Sequence, residues 1–189
     1  MPLRAHFTHI LESRQQDWQL ILANYHRDNQ NLAEQFMRAL QQLEHEHGGY
    51  PINRFVHSLQ TATRAWRDGR DDEYVCCALL HDIGASIAPY HHAEYAAMLL
   101  RPFISAENHW MLEHHDVFQG KYYFQHLGLN PDLCEQFITH PCYPRTVEFC
   151  ELYDNASYDA HAETFPLIEF EPILRRVLTQ PQAGVIAAP

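Results

Sequence analysis

The 189-residue sequence predicts an all-α fold. Glycine and proline divide it into stretches of helical length. Within those stretches apolar residues recur three and four apart, and few runs show the apolar–polar alternation of a half-buried strand. Apolar residues make up 46% of the chain and aromatics 12%, enough for a substantial core without cross-links and too much for a disordered chain.

Asn31 to Leu43 predicts the first long helix, with Leu32, Phe36, Leu40 and Leu43 on one face and Gly48-Gly49 ending it. A second helix from about Asn53 to Trp66 turns Phe55, Leu59, Ala62 and Trp66 toward the core. The third opens on Asp71-Asp72-Glu73, acids that suit the positive end of a helix dipole. It runs through Leu80 until Gly84 stops it, so His81-Asp82 falls in its last turn. His91 to Leu100 reads as a fourth helix ended by Pro102, and Ser105 caps a fifth that ends near His115. Asn130-Pro131 opens another, and Thr146 to Asp154 and Ile168 to Leu178 complete the set. Residues 1–179 are expected to form one domain, and 180–189, which lack periodicity, a mobile tail.

A formal charge of -11 would repel a phosphate backbone, and the basic clusters Arg64/Arg67/Arg70 and Arg175/Arg176 are short, so nucleic acid is not an expected partner. No run is apolar enough to cross a membrane and the first residues lack an export signal, so a cytoplasmic location is expected. Five cysteines without a C-x-x-C pair suit reduced thiols better than a disulfide framework. The 15 histidines stand out, because imidazole is the commonest metal ligand.

Leu79-Leu80-His81-Asp82-Ile83-Gly84 places an imidazole and a carboxylate side by side at the end of an apolar helix. A carboxylate buried there alone is costly, and a divalent metal offsets its charge while using the neighbouring neutral nitrogen. His57 stands 24 positions earlier on the preceding helix, so an antiparallel pair brings the two imidazoles to one end. Asp154 supplies a second carboxylate among Phe149, Leu152 and Tyr153. His92 and His115 add nitrogens from the fourth and fifth helices, enough for two ions bridged by Asp82; a single ion would not need them. His91 and His114 lie beside these two and are the alternatives at each position, and His114 is also placed to orient a ligand or bond substrate. Tyr50, Gln60, Lys121 and Arg145 are the polar residues near these helices that are candidates to face a substrate, the last two suiting an anionic one.

The order His57…His81-Asp82…Asp154 resembles the HD superfamily, and the local strings resemble its di-iron oxygenase branch. Pro51-Ile52-Asn53-Arg54-Phe55-Val56-His57-Ser58-Leu59-Gln60-Thr61-Ala62 is similar to the first-ligand string P-N-S-F-H-A-F-Q-T-A of myo-inositol oxygenase. His92 through Leu100-Arg101-Pro102-Phe103 to His115 resembles the corresponding stretch of the hydroxyphosphonate-cleaving oxygenases, a comparison that selects His115 over His114. Glu151-Leu152-Tyr153-Asp154, followed by an acidic and aromatic last helix, again resembles myo-inositol oxygenase. The resemblance spans about residues 47–178, and the whole chain is also similar to a bacterial group labelled only as HD phosphohydrolases.

The resemblance implies an HD-domain helical bundle with a metal centre in its core. It implies two iron ions (Fe2+/Fe3+) held by His57, His81, Asp82, His92, His115 and Asp154, and oxidative cleavage by O2 of a C–C or C–P bond in a small hydroxylated substrate. The alternative is a phosphohydrolase that uses Mn2+, Mg2+ or Zn2+ on a nucleotide or other phosphate ester. Two departures bear on the substrate. Ala85 replaces the substrate-contacting Lys that follows H-D-x-G in myo-inositol oxygenase. His47 and Tyr50 stand where the phosphonate enzymes carry a Tyr and a Glu.

Overall fold

The computed structural model describes residues 3–45, 48–179 and 181. His47 and, apart from Pro181, the segment expected to be a tail lie outside them. Every regular element among the described residues is helical. Eight α-helices follow in order: α1 (Gln15–Asn29), α2 (Leu32–Gln42), α3 (Arg54–Arg67), α4 (Asp72–Leu80), α5 (His92–Leu100), α6 (Ala106–Gly120), α7 (Tyr143–Glu148) and α8 (Leu167–Leu178).

α4 is the centre of the bundle. Every residue from Tyr74 to Leu80 is buried, and α3, α6 and α8 pack around it while α5 lies along α6 and α2 along α8. A helix apolar on all sides is what such a position demands. Its start is fixed by Asp71, whose side chain accepts the Tyr74 N–H at 2.8 Å. α3 is started in the same way by Asn53, accepting from Val56 N at 2.8 Å, and α6 by Ser105, accepting from Asn108 N at 3.3 Å. These caps set the registers that aim the histidines inward.

Gly84, beyond the end of α4, acts through close approach: a Cβ there would stand 2.7 Å from Cδ1 of Tyr95, so only glycine lets the segment lie against α5. α6 runs to Gly120, past the end expected near His115, because Phe118 is buried and Gly120 passes directly under the Phe124 ring. Thr146–Asp154 is not one uniform helix. α7 passes at Phe149 into a π-helical turn, Phe149–Asp154, closed by Asn155 N donating to Cys150 O at 2.9 Å. The wider turn buries Phe149, Cys150, Tyr153 and Asp154 together. Asn130-Pro131 opens a 3-10 helix, Pro131–Phe137. Trp66, expected in the core, is 36% exposed and packs edge-on against Phe165. α1 was not foreseen: Trp18, Leu22 and Tyr25 all remain partly exposed, and none of its residues is buried. No helix among the described residues is long and apolar enough to cross a membrane, and all five cysteines are free and buried.

Candidate metal centre

Five segments deliver six side chains to one buried point. His57 comes from the first turn of α3, His81 and Asp82 from the end of α4, His92 from the start of α5, His115 from α6 and Asp154 from the π-helical turn. All but His92 are at most 3% exposed.

Three of the imidazoles have their orientation set by the backbone. Nδ1 of His57 lies 2.8 Å from Ser157 O, that of His81 2.8 Å from Ala78 O, and that of His115 2.7 Å from Leu112 O. A carbonyl can only accept, so each Nδ1 carries the hydrogen and each neutral ring turns an unprotonated Nε2 to the middle.

Around that middle the distances form two groups. His57 Nε2 is 3.1 Å from His81 Nε2 and 3.1 Å from Asp154 Oδ1, and Asp82 Oδ2 is 3.9 and 3.8 Å from the two imidazoles. On the other side Asp82 Oδ1 is 3.3 Å from His92 Nε2 and 3.8 Å from His115 Nε2. The ligand atoms of His57, His81 and Asp154 all lie within 4.8 Å of one another, as do those of His81, Asp82 and His115. Two bare nitrogens at 3.1 Å repel unless a proton or cation lies between them. Asp154 Oδ2 is buried with no hydrogen-bond partner. Facing lone pairs, an orphaned carboxylate oxygen and nitrogen–oxygen donors on five segments fit divalent cations.

Without a cation, protons take up the charge. Burial opposes charging His57 and His115, but Asp154 overcomes it at His57 and Asp82 at His115, so both are held above the ordinary imidazole value, His115 at about 9. Burial wins at His81, which falls to about 4 despite the two carboxylates, and it also lowers His92. Burial alone would raise Asp82, yet His81, His115 and Arg54 hold it well below the carboxylate range; Asp154 is lowered against the same burial, chiefly by His57. Both carboxylates are therefore ionised, as ligands must be.

Four residues outside the sequence reading surround this group. Arg54 donates from Nη1 to Asp82 Oδ2 at 2.6 Å. Gln119 donates from Nε2 to Asp154 Oδ1 at 2.8 Å. Tyr158 stacks on His57 at 4.4 Å, and Tyr123, 37% exposed, is close enough to feel the charges of Asp154 and Arg54. Arg54 is three positions before His57 and Gln119 four after His115, spacings that put each on its ligand's helix face and were available to sequence reasoning.

Of the substrate-facing candidates, the structure brings only Tyr50 near the centre, stacked on Tyr158 at 5.7 Å with Arg54 over its ring. Gln60 turns away to donate to Asp159 O at 2.6 Å. Lys121 is spent on Glu135 at the surface, and Arg145 donates to Asn108 Oδ1 at 3.0 Å and covers the Tyr74 ring. His114 lies flat on Trp110 at 4.1 Å with Nδ1 bonded to Trp110 O, so its partners are not those of the cluster. His91 is exposed beside Glu94.

An all-helical bundle with a buried imidazole and carboxylate group at its heart defines a class of metal-site scaffold. Within it, residues 54–143 match the family model described as HD domain, and this stretch carries His57, His81, Asp82, His92 and His115. Asp154 lies beyond the matched stretch, on the π-helical turn. No curated protein matches the chain.

Proposed function

We propose that this chain is a metal-dependent oxygenase whose centre holds two iron ions bridged by Asp82, and that it uses O2 to cleave a C–C or C–P bond of a small hydroxylated substrate. The observation that carries the two-ion reading is the division of Asp82: Oδ2 faces His57 and His81, Oδ1 faces His92 and His115. His57, His81 and Asp154 would hold one ion and His92 and His115 the other. Bound iron would supply the redox chemistry with O2 that no side chain here provides. The oxygenase reading is supported by the similarity of the strings around His57, His92 and Asp154 to the oxygenase branch, in a chain whose matched family comprises metal-dependent enzymes generally.

The side chains contribute geometry and charge. The three Nδ1–carbonyl bonds fix the rings so that Nε2 needs no reorientation to bind. Arg54 holds the Asp82 carboxylate ionised and in one rotamer. Burial of the centre excludes bulk water, and its partly exposed neighbours His92, Arg54, Tyr50 and Tyr123 mark the side from which a substrate would arrive. Tyr158, against His57, has its hydroxyl held protonated by burial first and by Asp154 and Asp82 next, so it can donate to a substrate oxygen.

A phosphohydrolase is the second reading, favoured by one observation: the Arg54 guanidinium beside Asp82 suits the charge of a phosphate ester. Oxygen consumption by the iron-loaded protein, measured with a panel of 2-hydroxy acids and hydroxyphosphonates, separates the two. Substrate-dependent O2 uptake supports the oxygenase. Phosphate release from nucleotides without O2 uptake overturns it.

A further inference from the structure

Beyond His57, the same helix α3 forms one wall of a cavity of about 460 Å3 lined by Gln60, Arg64, Arg67 and Asp68, with Tyr153 and Glu163 opposite. None of these belongs to the metal centre, and the volume is that of a small-molecule site. Arg64 is half-buried and makes no ion pair or side-chain hydrogen bond among the described residues. Arg67 pairs at the rim with a Glu163 side chain that is 83% exposed, at 2.8 Å, and also donates to Glu163 O at 3.4 Å and lies over the Phe165 ring, so the exposed carboxylate is its one counter-charge among the described residues. Asp68 is already occupied by the Tyr153 hydroxyl at 2.5 Å. In the same wall Gln60, 2% exposed, leaves its Oε1 without a partner. A half-buried guanidinium lacking a counter-charge is an incomplete arrangement that an anion would complete.

We propose that this cavity is an effector site for a small anion, a phosphate monoester or a carboxylic acid, which sits between Arg64 and Arg67 and displaces Glu163 from Arg67. The segment opposite links the site to the metal centre. Ser157 O orients His57, Asp159 O receives the Gln60 amide, and Glu163 holds Arg67, so one short stretch of chain is tied at one end to a proposed ligand and at the other to the cavity. Displacing the Glu163 carboxylate removes one tie at the far end of that stretch, which Phe165 N still anchors by donating to Thr63 Oγ1 at 3.0 Å, and the resulting shift acts on the carbonyl that aims His57.

Calorimetric titration of the metal-loaded full chain with inorganic phosphate, glycerol 3-phosphate and succinate at low ionic strength tests this, and the tightest of the three names the anion class. Arg64→Gln is expected to weaken binding roughly tenfold or more, the worth of one charge-assisted hydrogen bond. Glu163→Gln, at an exposed position that does not threaten folding, is expected to tighten it by freeing Arg67. The metal-free chain, in which no ion can hold an anion at the centre and Arg54 stays paired with Asp82, is expected to keep the cavity's binding in place. Absence of binding by all three anions overturns the proposal, as does binding that neither Arg64→Gln nor Glu163→Gln alters.

Discussion

The two sides of Asp82 are built differently. On the Oδ2 side, His57, His81 and Asp154 are at most 2% exposed, both rings are tied to carbonyls, and Arg54 and Gln119 brace the two carboxylates. On the Oδ1 side, His115 is equally buried and tied, but the His92 side chain is 19% exposed and opens α5. The first side is preorganised and closed, the second partly open. A closed group holds an ion tightly, and an open one leaves room for exchange and for substrate. The lone pair of carboxylate oxygens that joins them makes Asp82 the residue on which both depend.

Removing the bridge gives the largest effect. Asp82→Ala is expected to abolish metal loading on both sides, read by elemental analysis of the purified protein; retention of two ions would break the comparison. Asp154→Ala removes the carboxylate nearest His57, at 3.1 Å, and leaves Asp82 Oδ2, at 3.9 Å, as the other carboxylate of the closed side. Removing one partner of a buried pair typically costs about 3–5 kcal/mol, to be read from denaturant unfolding of the metal-free chain. His92→Ala is expected to lose one ion and keep the other, with little change in unfolding, because its side chain is partly exposed. Equal loss of both ions would show that the two sides are not separable.

The proton occupancy of the metal-free centre sharpens the contrast through pH. His115, at about 9 in the folded chain, lies above its ordinary value because Asp82 outweighs burial. Such a group stabilises the fold fully below the unfolded imidazole value and loses that contribution as pH rises through about 9. His57, raised by Asp154, acts in the same direction. The melting temperature of the metal-free protein should therefore fall between neutral pH and pH values above about 9, and that of the loaded protein should change less over this window. The smallest effect is expected from Arg54→Gln, which leaves the ligands in place but frees the Asp82 rotamer. Loss of an outer partner of this kind lowers metal affinity about 10–100-fold, measurable by competition with a chelator.

The all-helical fold was legible because its helices carry their own punctuation: Asp71, Asn53 and Ser105 are capping residues that the structure uses as caps. α1 was missed because its apolar positions find no core to pack against. The π-helical turn was missed because its wider register leaves no mark in apolar spacing. At the site, His57, His81, Asp82 and Asp154 were legible from residue type, since carboxylates and imidazoles at the ends of apolar helices require partners, whereas residue type left His91 open beside His92 and His114 beside His115, and the resemblance selected His115. Their neighbours were legible only in part. Arg54 and Gln119 follow helical spacing, whereas Ser157 and Tyr158 reach His57 from a segment 100 residues away. Arg145 and Lys121 looked available because sequence does not show that Asn108 and Glu135 already occupy them.

Metal stoichiometry tests the central claim most directly. The full chain, loaded anaerobically with ferrous iron and freed of excess, should carry two ions per chain, with His92→Ala carrying one and Asp82→Ala none. A wild-type chain that saturates at a single ion, unchanged by His92→Ala, would contradict a centre divided across Asp82.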